Sequence, residues 1–261
     1  MTPDASGRST IIRDTPRETG RTDWARPGVT TLQVLQCGRI RTDARVPPIH
    51  VDPGPFETAL VCLAGVGRVR VGTEHFRIEP YDTVYVPRDT HFMVWSAAGT
   101  VDIAEVRAPV EERHPLQYVR YADQRAETTG QHPEADHRMC VLLGDRAAAG
   151  RFSMGVFTGD SRDASPWPVV PDVPGTEVAC CYARVPATSD PMTIEWPAPQ
   201  TAPETAVHEG DLVVGLHRCR ATGPATDGPV VVLWMLGAER EVVGDRFRLP
   251  VHTFSRSRVV P

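Results

Sequence analysis

Lysine is missing from this chain of 261 residues, so all 28 of its basic residues are arginine. Schiff-base chemistry requires a lysine amine, and so does the phosphate-binding loop of many nucleotide-binding proteins. Both kinds of site are excluded, and we expect no nucleotide cofactor. The 33 acidic residues outnumber the arginines and give a net charge of -5, with both signs scattered along the chain. A nucleic-acid-binding protein needs a concentrated basic surface, so we expect no nucleic-acid partner.

Long apolar runs and closely paired cysteines are also missing. No segment approaches the roughly 20 apolar residues that span a bilayer, and no N-terminal leader pattern is visible. We therefore expect a cytoplasmic protein that has no membrane partner. The six cysteines form no Cys-x-x-Cys pair, which favours reduced and mostly buried thiols.

Proline and glycine, which often end strands, are plentiful in this chain. The chain has 25 prolines and 21 glycines, and they separate short apolar segments at intervals of roughly 8–12 residues, which is typical of all-β barrels and sandwiches. No long helical periodicity interrupts this pattern. We predict an all-β protein with strands at residues 31–37, 58–63, 67–71, 83–86, 92–95 and 101–107, and a second series at 152–158, 177–185, 192–196, 211–216 and 230–236.

The two series of strands look like two copies of one plan. In each copy a carboxylate stands at the start of a strand, Glu57 and Glu177, and an acidic turn leads into a later strand, Asp82 and Asp211. Such a tandem repeat predicts two small barrels. The expected parts are a flexible polar tail at residues 1–24, an N-terminal barrel at 25–110, a linker at 111–135, a C-terminal barrel at 136–253 and a tail at 254–261.

Four residues of the first copy have the types and the order of the metal ligands of a cupin barrel: His50, Asp52, Glu57 and His91. In a strand, residues 50 and 52 point to the same face. If that face lies inside a small barrel, a carboxylate from the next strand and a histidine from an adjacent hairpin converge with them. Two imidazoles and one or two carboxylates suit a divalent metal such as Zn, Mn, Fe or Ni, and they leave positions for a substrate.

A second interpretation of these residues stays open. The two prolines before Ile49 allow His50 to lie on an exposed loop, and the sequence Asp52-Pro-Gly is typical of a turn. In that case His91 lies at the end of a hairpin and binds no metal.

Trp95 and Arg39 are the candidate substrate-binding residues. In a regular strand, Trp95 shares the face of His91 and can line the same pocket. An arginine such as Arg39 can hold a substrate carboxylate through two parallel hydrogen bonds.

A series of motifs in the second copy is similar to the 5-deoxy-glucuronate isomerases of inositol breakdown and to their relatives, the 5-keto-4-deoxyuronate isomerases. The motifs are Met154-Gly-Val-Phe-Thr-Gly-Asp-Ser-Arg, Ser165-Pro-Trp167-Pro168, Glu177-Val-Ala-Cys-Cys-Tyr182, Glu204-Thr-Ala-Val-His-Glu-Gly210-Asp211 and Val230-Val-Val-Leu-Trp-Met235-Leu-Gly237. Each motif is weak alone, and their shared order carries the resemblance. It spans about residues 30–250 and implies two tandem cupin barrels of the jelly-roll (double-stranded β-helix) type.

The metal ligands of that family are altered in this chain. The His-x-His pair of the family falls on Val170 and Asp172, its carboxylate on Glu177, and its last histidine on Cys219 or Arg220. Valine cannot ligate a metal, and arginine stays protonated. The resemblance therefore implies a divergent member of the family, in which the residues of the first copy replace the eroded set of the second.

The activity that the resemblance implies is the isomerisation of a small carbohydrate acid between aldose and ketose forms, an intramolecular oxidoreduction. A metal would polarise the carbonyl, and Glu57 or Glu177 would move the proton through an enediol. Two alternatives stay open: a metal-dependent cupin of another reaction class, such as an Fe(II) dioxygenase, and a sugar-binding protein with two cupin barrels and no catalysis. The oligomeric state also stays open, and a homo-oligomer is one option.

Overall fold

In the computed structural model of the protein, β-strands account for most of the described residues. The structure describes residues 10–125, 139–144, 149–160, 175–185, 192–195, 205–215, 220–222 and 229–241. Within these ranges only residues 121–125 are helical, so the all-β prediction is confirmed. The helical residues of this part of the chain form no segment long and apolar enough to cross a membrane.

The strands of the described residues reproduce most of the predicted ones. Those predicted at 67–71, 83–86 and 92–95 have the observed bounds, whereas residues 31–35 precede a strand instead of forming one. The strands are β1 (Thr10–Ile12), β2 (Gly20–Ala25), β3 (Gln36–Asp43), β4 (Ile49–Val51), β5 (Phe56–Ala64), β6 (Gly67–Val71), β7 (Glu74–Ile78), β8 (Thr83–Val86), β9 (Phe92–Trp95), β10 (Thr100–Pro109), β11 (Gln117–Val119), β12 (Met139–Leu143), β13 (Phe152–Asp160), β14 (Thr176–Arg184), β15 (Met192–Glu195), β16 (Thr205–Val207), β17 (Leu212–Val214), β18 (Arg220–Thr222) and β19 (Pro229–Ala238).

These strands form one large and one small sheet in each half of the chain, and each half is a barrel. The first large sheet has the order β11-β8-β5-β10-β3-β2, and the second has the order β1-β17-β14-β19-β13-β12. The small sheets are β4-β9-β6-β7 and β16-β15-β18. Strand for strand, β5 takes the place of β14, β10 that of β19, and β3 that of β13. The repeat predicted from the sequence is therefore confirmed.

Apolar side chains fill three regions, one inside each barrel and one between the two large sheets. Consecutive residues of a strand point to opposite faces, and β5 shows the result. Its Leu60 and Cys62 lie inside the first barrel, whereas its Ala59 and Val61 face the second barrel. The second barrel has an apolar interior of its own. In β5, the even-numbered side chains therefore point into the first barrel and the odd-numbered ones point towards the second barrel.

Residues 10–24, predicted to belong to a flexible tail, contribute strands to both large sheets. Strand β1 pairs with β17 of the second barrel, and β2 pairs with β3 of the first. Ile11 packs against the interior of the second barrel, while Ile12 and Trp24 pack between the barrels. The tail prediction is wrong here because a few apolar residues among polar neighbours suffice to seat two edge strands.

The predicted linker also contributes a strand, because β11 pairs with β8 at the edge of the first large sheet. Residues 126–135 of that linker and the predicted tail at 254–261 lie outside the described residues.

The two acidic turns attach these edge strands. Asp82 accepts hydrogen bonds from the backbone N–H of Tyr121 (2.9 Å) and from the hydroxyl of Tyr118 (2.9 Å), on the chain that carries β11. Asp211 accepts them from the backbone N–H of Asp14 (2.9 Å) and from Nη1 of Arg13 (2.7 Å), directly after β1. The repeated turn therefore has the same structural task in both barrels.

The two repeated glutamates lie between the barrels and bind backbone groups of the opposite barrel. Glu57 is fully buried. Its Oε2 accepts hydrogen bonds from the hydroxyl of Tyr85 (2.7 Å) and the backbone N–H of Gly150 (2.7 Å), and its Oε1 accepts one from the N–H of Arg151 (2.7 Å). Because Gly150 and Arg151 directly precede β13, Glu57 fixes the start of that strand against the first barrel.

Glu177 makes the reciprocal contact from the second barrel. Its Oε2 accepts a hydrogen bond from the backbone N–H of Gln33 (2.5 Å), and its Oε1 accepts those of Val34 (3.0 Å) and Leu35. These residues directly precede β3, the counterpart of β13. We call Glu57 and Glu177, with the backbone N–H groups that they bind, the two carboxylate clamps.

Replacing a clamp glutamate by glutamine is expected to destabilise the protein. In a Glu57→Gln variant one acceptor oxygen becomes a donor facing buried donors, which leaves at least one of them unpaired and costs about 1–3 kcal/mol. Urea unfolding measures this loss, with Glu74→Gln as the control, because Glu74 is an exposed glutamate at the start of a strand. Equal unfolding free energies for the two variants would contradict the clamp.

The clamps also predict a pH dependence of stability. Burial raises the pKa of Glu57 and of Glu177 above the ordinary carboxyl value, although the hydrogen bonds oppose the shift. The folded protein then holds these protons more tightly than the unfolded chain, and that stabilisation is lost as the pH rises through the raised pKa. We expect the unfolding free energy to fall from mildly acidic pH towards neutrality, and to fall less in Glu57→Gln. Urea unfolding at a series of pH values measures this fall. If the unfolding free energy fell equally with pH in wild type and in Glu57→Gln, the prediction would be wrong.

Candidate functional site

His50 lies on the outside of the first barrel. It is the middle residue of β4 and is exposed, whereas Val51 is buried and belongs to the barrel interior. His91 is exposed as well, and its ring centroid lies 5.5 Å from that of His50. The sequence pattern was therefore correct about the proximity of the two histidines and wrong about the side of the sheet.

The other two predicted ligands do not join this pair. The Oδ1 of Asp52 accepts a hydrogen bond from the backbone N–H of Gly54 (3.1 Å), so the turn interpretation holds for that residue. Glu57 faces the second barrel in its clamp. No group of three or more His, Cys, Asp and Glu side chains suitable for a metal occurs within the described ranges. The prediction that the four residues converge is wrong, because a shift by one residue moves a side chain to the other face of a strand.

The interior of the first barrel does not fit the metal that its pattern suggested. The inward residues of β4 and β9 are Ile49, Val51, Phe92 and Val94, and their side chains offer no nitrogen, oxygen or sulfur ligand. In the second barrel, residues 170, 172 and 219 lie outside the described residues, as does the side chain of Arg220. Glu177, the remaining position of the family's ligand set, is engaged in its clamp and is not a free catalytic carboxylate.

Arg39 and Trp95, the predicted substrate-binding residues, do not face the interior either. Arg39 is buried, its Nε donates to Oδ1 of Asp102 at 2.6 Å, and its guanidinium lies 5.0 Å from the ring of Trp24. Trp95 is half-buried and meets His75, an exposed residue, edge to face with the ring centroids 6.3 Å apart. Arg39 therefore joins β3 to β10 through Asp102 and packs on Trp24 of β2, and Trp95 belongs to the outer face of the small sheet.

A cluster of four charged residues occupies the inner face of the first large sheet, and we call Arg21, Asp23, Glu105 and Arg107 the charged quartet. Glu105 is fully buried and accepts hydrogen bonds from Nε (2.7 Å) and Nη2 (3.1 Å) of Arg21. The Nη2 of Arg107 donates to Oδ1 of Asp23 at 2.9 Å, and its Nε lies 3.9 Å from Oε1 of Glu105. The quartet is therefore one connected ionic network.

Strand register places the quartet on the interior side. Glu105 lies opposite Leu60, and Arg21 lies opposite Ile40, and both of these apolar residues belong to the interior of the first barrel. Gly38, opposite Glu105, keeps the space clear. A Cβ there would lie 2.6 Å from the carbonyl oxygen of Thr22 and 3.6 Å from Oε2 of Glu105.

The surroundings of the quartet leave polar groups for a ligand. The Arg107 guanidinium lies 5.7 Å from the centre of the Phe56 ring. Burial lowers the pKa of Arg107, although Glu105 opposes the shift. The hydroxyl of Thr58, in the strand position opposite Arg107, is buried without a hydrogen-bond partner. Because Asp23 keeps 48% of its side chain exposed, the network can be reached from solvent.

At the four corresponding positions, all of them described, the second barrel has no charged residue. Ala108 lies opposite Glu57, and Gly237 lies opposite Glu177, which aligns the two barrels residue by residue. The positions of Arg21, Asp23, Glu105 and Arg107 are then taken by Met139, Val141, Trp234 and Leu236, which form part of the apolar interior. Buried charges are often less stable than an apolar set of similar volume. A charged set in one copy alone therefore indicates a function.

A sequence signal for the quartet existed. Arg21 and Asp23 are two residues apart, and so are Glu105 and Arg107, which puts each pair on one face of a strand. The second pair falls inside the predicted strand at 101–107, where an interior face is expected to be apolar. The first pair is missed by the sequence prediction because Arg21 and Asp23 lie in the predicted tail at residues 1–24.

Solved structures with a similar arrangement of strands are known. The protein Ylba from E. coli, described as DUF861, matches with a TM-score of 0.64 over 90% of this chain and 93% of its own, at 13% identity. An IolB-like protein from Salmonella typhimurium LT2 matches with a TM-score of 0.61 over 88% and 92%, at 15% identity. Both are cupin-fold structures. This chain has the cupin fold.

Other comparisons show how far this likeness extends. The bacterial pirin YhhW from E. coli, solved in complex with nickel(II), matches with a TM-score of 0.58 over 88% of this chain and 99% of its own, at 8% identity. No protein-family model matches the chain, and no curated protein matches its sequence significantly. At such identities the solved structures establish the fold and leave the activity to the residues of the site.

The charged quartet is expected to respond to substitution as an ionic network. Glu105→Leu leaves two arginines without their shared carboxylate and should cost about 3 kcal/mol. Replacing all four residues by the apolar kind found in the second barrel (Arg21→Met, Asp23→Val, Glu105→Leu and Arg107→Leu) should restore most of that loss. Urea unfolding of both variants measures the difference. If the variant with all four substitutions were less stable than Glu105→Leu, this prediction would be wrong and the quartet would be needed for folding.

Proposed function

We propose that this cupin binds a small carbohydrate acid at the charged quartet of its first barrel. The single observation that carries the proposal is the asymmetry between the barrels, in which a buried ionic network in one copy stands where the other copy is apolar. The resemblance to sugar-acid isomerases in the sequence supports the same class of ligand. The structural similarity to the IolB-like protein is compatible with this class of ligand, but it is evidence for the fold only.

The donors and acceptors of the quartet suit such a ligand. Nη1 of Arg107 has no hydrogen-bond or ion-pair partner among the described residues, and a guanidinium is well shaped to bind a carboxylate. Asp23 and Glu105 offer acceptors for sugar hydroxyl groups, and the unpaired hydroxyl of Thr58 offers one further donor or acceptor. A ligand with one carboxylate and several hydroxyls therefore matches the site better than a neutral sugar or an apolar molecule.

Isomerisation of the bound acid is the second candidate function. An enediol route needs a carboxylate at the substrate to move a proton, and Glu105 is the fully buried carboxylate of the quartet. Glu57 and Glu177 are not assigned this role because they lie in the clamps between the barrels and do not face the interior of the first barrel. The metal-dependent alternatives depend on positions of the second barrel that lie outside the described residues, and the described interior of the first barrel offers them no ligand set.

Calorimetric titration tests the binding proposal. We expect D-glucuronate to bind and D-glucose, which lacks the carboxylate, to bind much more weakly. An Arg107→Met variant should lose about 10- to 100-fold in glucuronate affinity, the equivalent of 1.5–3 kcal/mol of charged hydrogen bonding. Arg77→Met is the matched control, since Arg77 lies at the surface in an ion pair with Glu79.

Equal affinity for the two sugars, or unchanged affinity in Arg107→Met, would refute the proposed site. Isomerisation is read separately, by nuclear magnetic resonance of the sugar acid during incubation with protein. A Glu105→Gln variant that binds glucuronate and no longer converts it would support the second candidate. Conversion at the wild-type rate by that variant would exclude Glu105 as the base.

A further inference from the structure

His50 and His91 stand side by side on the outer face of the first barrel, and neither the fold nor the quartet uses them. Both are exposed, and their ring planes are inclined by 43°. Neither ring makes a hydrogen bond or an ion pair within the described part of the chain. We propose that the two imidazoles together bind one divalent transition-metal ion at the protein surface, a site separate from the barrel interior.

The spacing of the rings suits a shared ion. With a metal–nitrogen distance of about 2.0–2.1 Å, a metal lies about 3.2 Å from each ring centroid, so two ligands at a tetrahedral angle have centroids about 5.2 Å apart. The observed separation is 5.5 Å. Small rotations of two exposed side chains therefore suffice to bring both rings onto one ion, without a change in the backbone.

The backbone holds the two histidines in this relation. Strands β4 and β9 pair through Val51 and Phe92, the residues that follow His50 and His91. Beyond the pair, the N–H of Asp89 donates to the carbonyl oxygen of Gly54 at 2.6 Å and joins the two adjoining turns. The histidines are therefore presented from paired strand ends, which lowers the entropy that a chelating pair loses on binding.

The ligand chemistry defines the class of ion. Neutral imidazole nitrogens suit Zn(II), Ni(II) and Cu(II), whereas Mg²⁺ and Ca²⁺ prefer oxygen ligands. With two protein ligands the ion keeps its other positions for water. Because Val51 and Phe92 fill the sheet behind the pair, this site is independent of the quartet and of its ligand.

Equilibrium dialysis of the metal-stripped full chain against ZnCl₂, and separately against NiCl₂, tests the proposal. We expect wild-type protein to retain one more ion per chain than either His50→Gln or His91→Gln. Because a chelate needs both rings, the double variant should lose no more than each single variant. The matched control is His75→Gln, an exposed histidine of β7 on the same sheet, which should bind as wild type does.

The variants also separate this site from other metal sites. An ion that remains bound in both single variants belongs to another site in the chain. Wild-type protein should still bind one ion more than each of these variants. The proposal is overturned if His50→Gln and His91→Gln bind the same number of ions with the same affinity as wild type. It is also overturned if His75→Gln loses the ion to the same extent. Since the substituted residues are exposed, unchanged urea unfolding confirms that each variant is folded.

Discussion

Two carboxylates, the fully buried Glu57 and the half-buried Glu177, bind backbone N–H groups across the barrel interface and hold the two halves of this protein together. Glu57 and Glu177 each lie at the start of a central strand, and each reaches the segment that leads into a central strand of the other barrel. A buried backbone N–H that lacks a partner is costly, and these segments precede their strands and cannot use the ladder. The clamps therefore fix the approach of both large sheets, on which the shared core, the edge strands and the orientation of every interior face depend.

Duplication makes the difference between the barrels informative. The clamps and the acidic turns at Asp82 and Asp211 recur in both copies, so they are requirements of the architecture. The charged quartet lies in the first barrel, and at the corresponding described positions the second barrel has apolar side chains that belong to its interior. What is repeated supports the fold, and what is not repeated marks the site at which we propose that a sugar acid binds.

Alternation and turn residues were enough to predict the all-β class, the repeat and several strand bounds. They failed where the prediction depended on which face of a strand a residue occupies, or on a contact between residues far apart in sequence. Strand β4 turns Val51 inward and leaves His50 exposed, and only the partner sheet decides which of the two faces the interior. The glutamates were recognised as repeated positions, yet their partners at residues 33–35 and 150–151 are far away in sequence. Polar residues around Ile11, Ile12 and Trp24 concealed two edge strands.

The strand at Thr10–Ile12 has a consequence for the order in which the protein can be completed. Its partner is β17, roughly two hundred residues later, so β1 leaves the ribosome long before the strand with which it pairs. Contacts of such long sequence separation slow folding. Until β17 has been made, the second large sheet has no edge for β1, and the early isoleucines have nowhere to be buried. The two barrels therefore differ in the order of their synthesis. The large sheet of the second barrel takes its edge strand, β1, from residues that are translated before those of either barrel.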